Sequence, residues 1–168
     1  MPSVPTALPG FSIRHAESAD APLIVEYVSK LADYEKLAHE MQATEAHIRE
    51  TMFGPRPYAE VIFGEQDGQP VGFALFFHNF STFMGKPGLY LEDLFVDPEQ
   101  RGHGYGKALM GYLARLAVER GCGRFEWSVL NWNEPSIAFY QRLGARPLDA
   151  WTVYRMTGEA LERLADQP

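Results

Sequence analysis

One stretch narrows the fold more than any other: residues 89–107, Leu-Tyr-Leu-Glu-Asp-Leu-Phe-Val-Asp-Pro-Glu-Gln-Arg-Gly-His-Gly-Tyr-Gly-Lys. An apolar run stops at Asp97-Pro98, a loop with glycine at every second position follows, and a helical pattern begins at once. Arg101, Gly102, Gly104 and Gly106 leave backbone N–H groups free to converge at a helix N-terminus. Such a terminus favours anions, because its first-turn N–H groups lack intrahelical partners and the helix dipole is positive there. A strand that feeds a helix through this loop belongs in an α/β or α+β protein, with a phosphorylated ligand expected at the junction.

The rest of the chain supplies elements for that frame. At 168 residues it can bury a substantial core as one domain. Residues 1–10 read as a mobile Pro-rich lead-in, and residues 11–168 as a single domain. Residues 12–15 make a short strand, and apolar positions Leu23, Ile24, Tyr27, Val28 and Leu31 recur at helical spacing to about residue 37. A second helix is expected at 44–53, capped by Thr44. Strands at 59–65 and 71–79 flank a turn at 66–70, and 89–96 is a third member of that sheet. The clearest helix is 107–120, with Leu109, Leu113, Leu116 and Ala117 on one face. A strand at 124–130, a helix at 135–143, a last strand at 151–156 and a helical turn or two from 157 or 158 to 165 complete the reading. Antiparallel strands first and a βαβ unit later predict a mixed sheet of about six to seven strands flanked by about four to five helices.

Three phosphate-binding patterns compete for the glycine loop. A Walker A loop needs four residues between its first Gly and the Gly-Lys pair, but Gly102 is one residue too close to Gly106, and Ala108 stands where a hydroxyl would hold magnesium. The dinucleotide fingerprint G-x-G-x-x-G fails too, since the spacing is G-x-G-x-G. Arg-x-x-Gly-x-Gly, residues 101–106, resembles the acetyl-CoA loop of the GCN5-related N-acetyltransferases (GNAT superfamily), whose N–H groups hold the coenzyme pyrophosphate. For the loop alone, a glycine-rich turn that merely reverses the chain is the plain alternative.

About thirty residues on, Asn131-Trp-Asn-Glu-Pro-Ser-Ile-Ala-Phe-Tyr-Gln-Arg-Leu-Gly-Ala145 resembles the second signature of that superfamily. With Leu91-Glu-Asp-Leu-Phe-Val96 it is similar to one branch, the diamine (spermidine/spermine) and thialysine acetyltransferases. The resemblance implies a coenzyme site made of Arg101, Gly102, His103, Gly104, Tyr105, Gly106 and Lys107, the backbone of Leu94, Phe95 and Val96, and Asn133, Ser136 and Tyr140. It implies Tyr140 as the acid that protonates the departing thiolate, and Glu92 as the first candidate to relay the amine proton. A primary amine with a pKa of about 10 is almost wholly protonated at neutral pH, so a carboxylate or water chain must take a proton before attack. Adjacent acids in an apolar strand would point to opposite faces if the strand were regular. Glu92 and Asp93 therefore predict a polar cleft beside a split in the sheet, against the plainer reading that one caps a helix or pairs with an arginine. Tyr34 and Glu35 match a Tyr-Glu pair near the branch's polyamine site, and Glu126, Trp127 and Ser128 match its substrate-lining strand.

The expected activity is transfer of the acetyl group of acetyl-CoA to a primary amine of a small cationic substrate, whether polyamine, thialysine or lysine-like, within a ternary complex. The rivals are acetylation of protein lysines or N-termini, and a non-catalytic acyl-CoA-binding sensor. The formal charge of −7 weighs against nucleic acid and for a cationic substrate. No window is apolar enough to span a membrane, and a cytoplasmic location is the default. The five histidines show no metal-ligand spacing and Cys122 is alone, so neither a metal nor a cysteine framework is expected. The resemblance further implies a homodimer.

Overall fold

The computed structural model describes residues 2–167 and divides into two compact units, the first ending at Ser128 and the second beginning at Val129. The first unit holds a six-stranded sheet in sequential order: β1 (Val4–Pro5), β2 (Phe11–His15), β3 (Glu60–Gln66), β4 (Gln69–Ser81), β5 (Lys86–Val96) and β6 (Arg124–Trp127). All neighbours are antiparallel except β5 and β6, which run parallel because a helix crosses between them. That helix is α3 (Tyr105–Glu119); α1 (Ala21–Tyr34) and α2 (Glu45–Phe53) lie between β2 and β3. The second unit carries α4 (Glu134–Arg142) and α5 (Gly158–Ala165).

Local chemistry sets these boundaries. Thr44 accepts the His47 N–H and starts α2. Lys36, at φ +61°, ends the helical path of α1 before residue 37. Asp67 and Gly68 both take positive φ, so the β3–β4 hairpin closes on the turn that matches strand twist.

Period-two alternation splits the core between the faces of the sheet. Tyr27, Ile24, Phe63, Phe73, Leu75 and Phe95 form the cluster beneath α1 and α2. The buried stripe of α3, led by Leu109 and Leu113, covers the other face. Gly64 is needed there, because a Cβ would fall 2.6 Å from the Phe11 ring. Each fully buried Leu or Phe contributes about 1.5–3 kcal/mol.

Two expectations are corrected. Within the lead-in, Val4 and Pro5 pair with Ile13 and Ser12 as the sheet edge. Residues 151–156 form no strand among the described residues. Val153 and Tyr154 favour extended backbone, but a strand exists only by pairing, and the elements of the second unit are both helices.

Candidate active site

β5 turns at Asp97, passes a 3-10 turn (Pro98–Gln100) and opens into the glycine loop. Gly102 and Gly104 have φ of +85° and +87°, in the left-handed region that penalises any Cβ, and Gly104 is the N-cap of α3. The Arg101 N–H donates to Pro98, and the next N–H accepted by a backbone carbonyl is that of Ala108, bonded to Gly104 at 3.0 Å. Among the described residues, the N–H groups of 102–107 have no backbone acceptor. They gather at the positive end of a 15-residue helix, which suits the pyrophosphate of a coenzyme.

Side chains of this loop serve other ends. The Tyr105 ring stacks on Phe11 at 4.3 Å and its hydroxyl donates to Gln66 at 2.8 Å, leaving the backbone for ligand. His103 Nδ1 donates to the Gln100 carbonyl (3.1 Å) and the ring stacks on Tyr105. Arg101 Nε donates to the Val96 carbonyl (3.0 Å), and its guanidinium lies over the rings of Tyr34 (4.9 Å) and Phe95 (5.3 Å). Gly106 and Lys107 complete the first turn of α3, with Lys107 exposed.

Five residues upstream of the turn, the sheet is irregular. Leu75 faces Asp93 across β4–β5, but Phe76 faces Leu91, so Glu92 is the extra residue of a β-bulge. On the other side of β5, pairing with β6 ends at Leu91–Trp127. Residues 92–96, including Leu94, Phe95 and Val96, therefore have no strand partner on that side among the described residues. The bulge removes the expectation of strict alternation: Glu92 is exposed, whereas Asp93 is half-buried.

Glu35, just past the end of α1, completes a cluster of three acids. Burial pushes the Asp93 carboxyl up to about 7, and the charges of Glu92 and Glu35 add to it. Glu35 is also raised, by burial and then by Glu92. Asp93 and Glu35, whose affinity for a proton is raised by burial and by neighbouring negative charge, would accept a cation in its place. They also supply a base near neutrality.

The strand expected to line the substrate is spent differently. Glu126 sits 2.6 Å from Arg124 Nε and accepts from Asn79 (3.3 Å). Ser128 shares a hydrogen bond with the Tyr90 hydroxyl (2.7 Å), and Trp127 packs edge-on against Phe125. A cleft of about 540 Å³ lies elsewhere, lined in part by His15, Met52, Phe53, Glu60, Phe77 and His78. Its acid, Glu60, is doubly bonded to Arg120, and burial lowers the His15 pKa. Among the described residues that line it, Glu60 is the acid, and it is already paired.

In the second unit, Asn133 Oδ1 accepts the Ser136 N–H at 3.3 Å and caps α4, with Pro135 in the first turn. Part of the Asn-Trp-Asn-Glu-Pro-Ser signature is thus a helix start. Tyr140 lies on that helix, its ring 5.4 Å from Phe139. Sequence reasoning passed over Asp97, which marks only a strand stop by composition. In the fold it is buried and bonded to Tyr27 and Lys30 of α1. A carboxylate directly before proline at the mouth of a glycine loop was the available signal.

Comparison with known proteins shows the family. Residues 25–145 match the model described as Acetyltransferase (GNAT) family. A thialysine N-epsilon-acetyltransferase of Sus scrofa is 35% identical over 164 residues, covering 91% of this chain and 96% of the relative. An L-ornithine N5-acetyltransferase of Arabidopsis thaliana is 32% identical over 197 residues, covering 90% and 86%. Among solved structures, an integron cassette protein from the mobile metagenome of V. cholerae superposes with a TM-score of 0.79 at 25% identity, covering 94% of this chain and 99% of that one.

Proposed function

The chain belongs to the acetyltransferase (GNAT) family, and from that premise we propose that it acetylates a primary amine of a small cationic acceptor, of the thialysine, ornithine, lysine-like or polyamine class. It is an acetyl-transferring enzyme, and acetyl-CoA is its co-substrate. The observation that carries the acceptor class is the Glu35–Glu92–Asp93 cluster at the unpaired side of β5, on the strand that leads into the anion loop.

The proposed reaction is direct transfer in a ternary complex. The cationic amine exchanges for protons at the acid cluster, and Glu92, directly or through water, takes the proton that frees the nitrogen lone pair. A nitrogen–carbon bond forms at the thioester carbonyl as the carbon–sulfur bond breaks. Holding both reactants in place can lower the barrier by several kcal/mol. Backbone N–H groups at the bulge are the candidate donors to the developing oxyanion. The thiolate takes its proton from Tyr140, an assignment supported by the register of its motif. Asn133 and Ser136 are assigned to the coenzyme arm by the register of the same motif, with the Asn133 side-chain oxygen also capping α4. Among the described residues no helix is long and apolar enough to cross a membrane. Residence in the cytoplasm and assembly as a homodimer belong to the proposal.

Incubation with acetyl-CoA and a mixture of thialysine, ornithine, lysine, diamines and a lysine-containing peptide tests it. Acetylation of a small amine, identified by mass, is expected. Product confined to the peptide would favour protein acetylation instead. A sensor would bind coenzyme and release no thiol with any amine. Tyr140→Phe should lower turnover about tenfold or more while coenzyme affinity stays near normal.

A further inference from the structure

Asp97 occupies the corner where β5 becomes the coenzyme loop, and it is 8% exposed. Its N–H donates to the Val71 carbonyl on β4 (2.9 Å), and its carbonyl accepts the Gln100 N–H (2.8 Å). Its carboxylate reaches across to α1, where Oδ2 accepts the Tyr27 hydroxyl (3.0 Å) and Oδ1 accepts Lys30 Nζ (3.1 Å). Lys30 is itself seated over the Tyr27 ring at 4.6 Å and paired with Glu26 at 3.0 Å. A buried carboxylate with all these partners is costly to disturb, because removing one leaves the others unsatisfied in a low-dielectric setting. One residue therefore ties three elements together.

The same side of α1 meets the loop again one turn later, where Tyr34 lies beneath the Arg101 guanidinium. Positions 27, 30 and 34 are spaced as one helical face. The loop is thus fastened to α1 at both of its corners, Asp97 and Arg101. Past Tyr34 the chain reaches Glu35, whose charge acts on Asp93. A displacement of the loop corner relative to α1 would move Glu35 relative to Asp93 and Glu92.

We infer that Asp97 is a positioning residue for the acceptor amine: through Tyr27 and Lys30 it locks the end of α1 to the coenzyme loop and so sets the spacing of the three acids. The inference rests on the acceptor site proposed above and deepens it. It assigns Asp97 no contact with either substrate. Its loss should therefore weaken the amine while sparing the coenzyme, whose N–H cradle is set by the glycines.

The test is an initial-rate grid over both substrates for wild type, Asp97→Asn, Tyr27→Phe and the double variant, with coenzyme A affinity measured by calorimetry and folding by thermal melts. Asp97→Asn should raise the amine KM about fivefold or more and leave coenzyme A affinity within about twofold. Tyr27→Phe, which keeps the ring packed on Phe73, should raise the amine KM about two- to threefold, and it carries the test should Asp97→Asn fail to fold. The double variant should fall short of the product of the two single effects, because both substitutions weaken the Asp97–Tyr27 bond. A merely structural role would lower the melting temperature and the active fraction with the amine KM unmoved, and that result overturns the inference. So does a variant whose coenzyme affinity falls in place of its amine affinity. A wild-type enzyme that acetylates no amine refutes the proposed function instead, so the two failures are distinguishable.

Discussion

The coenzyme loop and two of the three clustered acids lie on successive segments of one chain, yet the loop and the cluster are built by opposite means. Residues 102–107 offer backbone N–H groups arranged by glycine φ angles, and their side chains are largely irrelevant or turned to packing. The acid cluster depends wholly on side chains, gathered from residues 35 and 92–93 by α1 and a bulge. On the proposed reading the first binds an anion through backbone geometry alone. On the proposed reading the second binds a cation through carboxylates short of compensation.

Substitutions should pull the two regions apart. The largest effect is expected from Glu92→Gln, which removes the proposed proton relay and should lower kcat/KM for the amine about a hundredfold, with the acetyl-CoA KM little changed in steady-state assays. Next comes Gly104→Val, forced to φ +87°; a strain of about 1–2 kcal/mol in the loop should raise the acetyl-CoA KM about tenfold and spare the amine.

A third prediction concerns stability. The Asp93 carboxyl, raised from 3.8 to about 7, holds a proton in the folded state that the unfolded chain has lost at intermediate pH. Its contribution to stability is full below its unfolded pKa and is lost as pH rises through about 7. Asp93→Asn should therefore melt about 3 °C or more above wild type at about pH 8, with the gap narrowing as pH falls and closing at about pH 3, while losing amine turnover. In Glu92→Gln the same titration should move down, because a neighbouring negative charge is gone. The smallest effect is expected for Cys122→Ala, which should keep activity within about twofold, since direct transfer forms no acetyl-enzyme. A large loss of turnover there would remove direct transfer from the account.

The same contrast explains what could be read from sequence. The loop was legible because its spacing is local: Arg101, Gly102, Gly104 and Gly106 state their backbone geometry directly. Most helices and strands were legible for the same reason, through periodicity and the Thr44 cap. The acid cluster was legible only in part. Glu92 and Asp93 stood out as charges in an apolar strand, but nothing local announces a bulge that needs β4 to define it. Glu126 looked like a substrate acid because its binding to Arg124 and Asn79 depends on strand pairing. Asp97 was missed since its partners lie about seventy residues earlier in the chain. The strand expected at 151–156 failed on the same ground, because residue preference cannot supply a partner edge.

The central claim is that the acids serve the amine and the glycine loop serves the coenzyme. One initial-rate grid, varying acetyl-CoA against a small diamine or thialysine, tests it on Glu35→Gln beside wild type. The account predicts an amine KM raised about fivefold or more with the acetyl-CoA KM within about twofold. An unchanged amine KM, or a loss falling equally on both substrates, would contradict it.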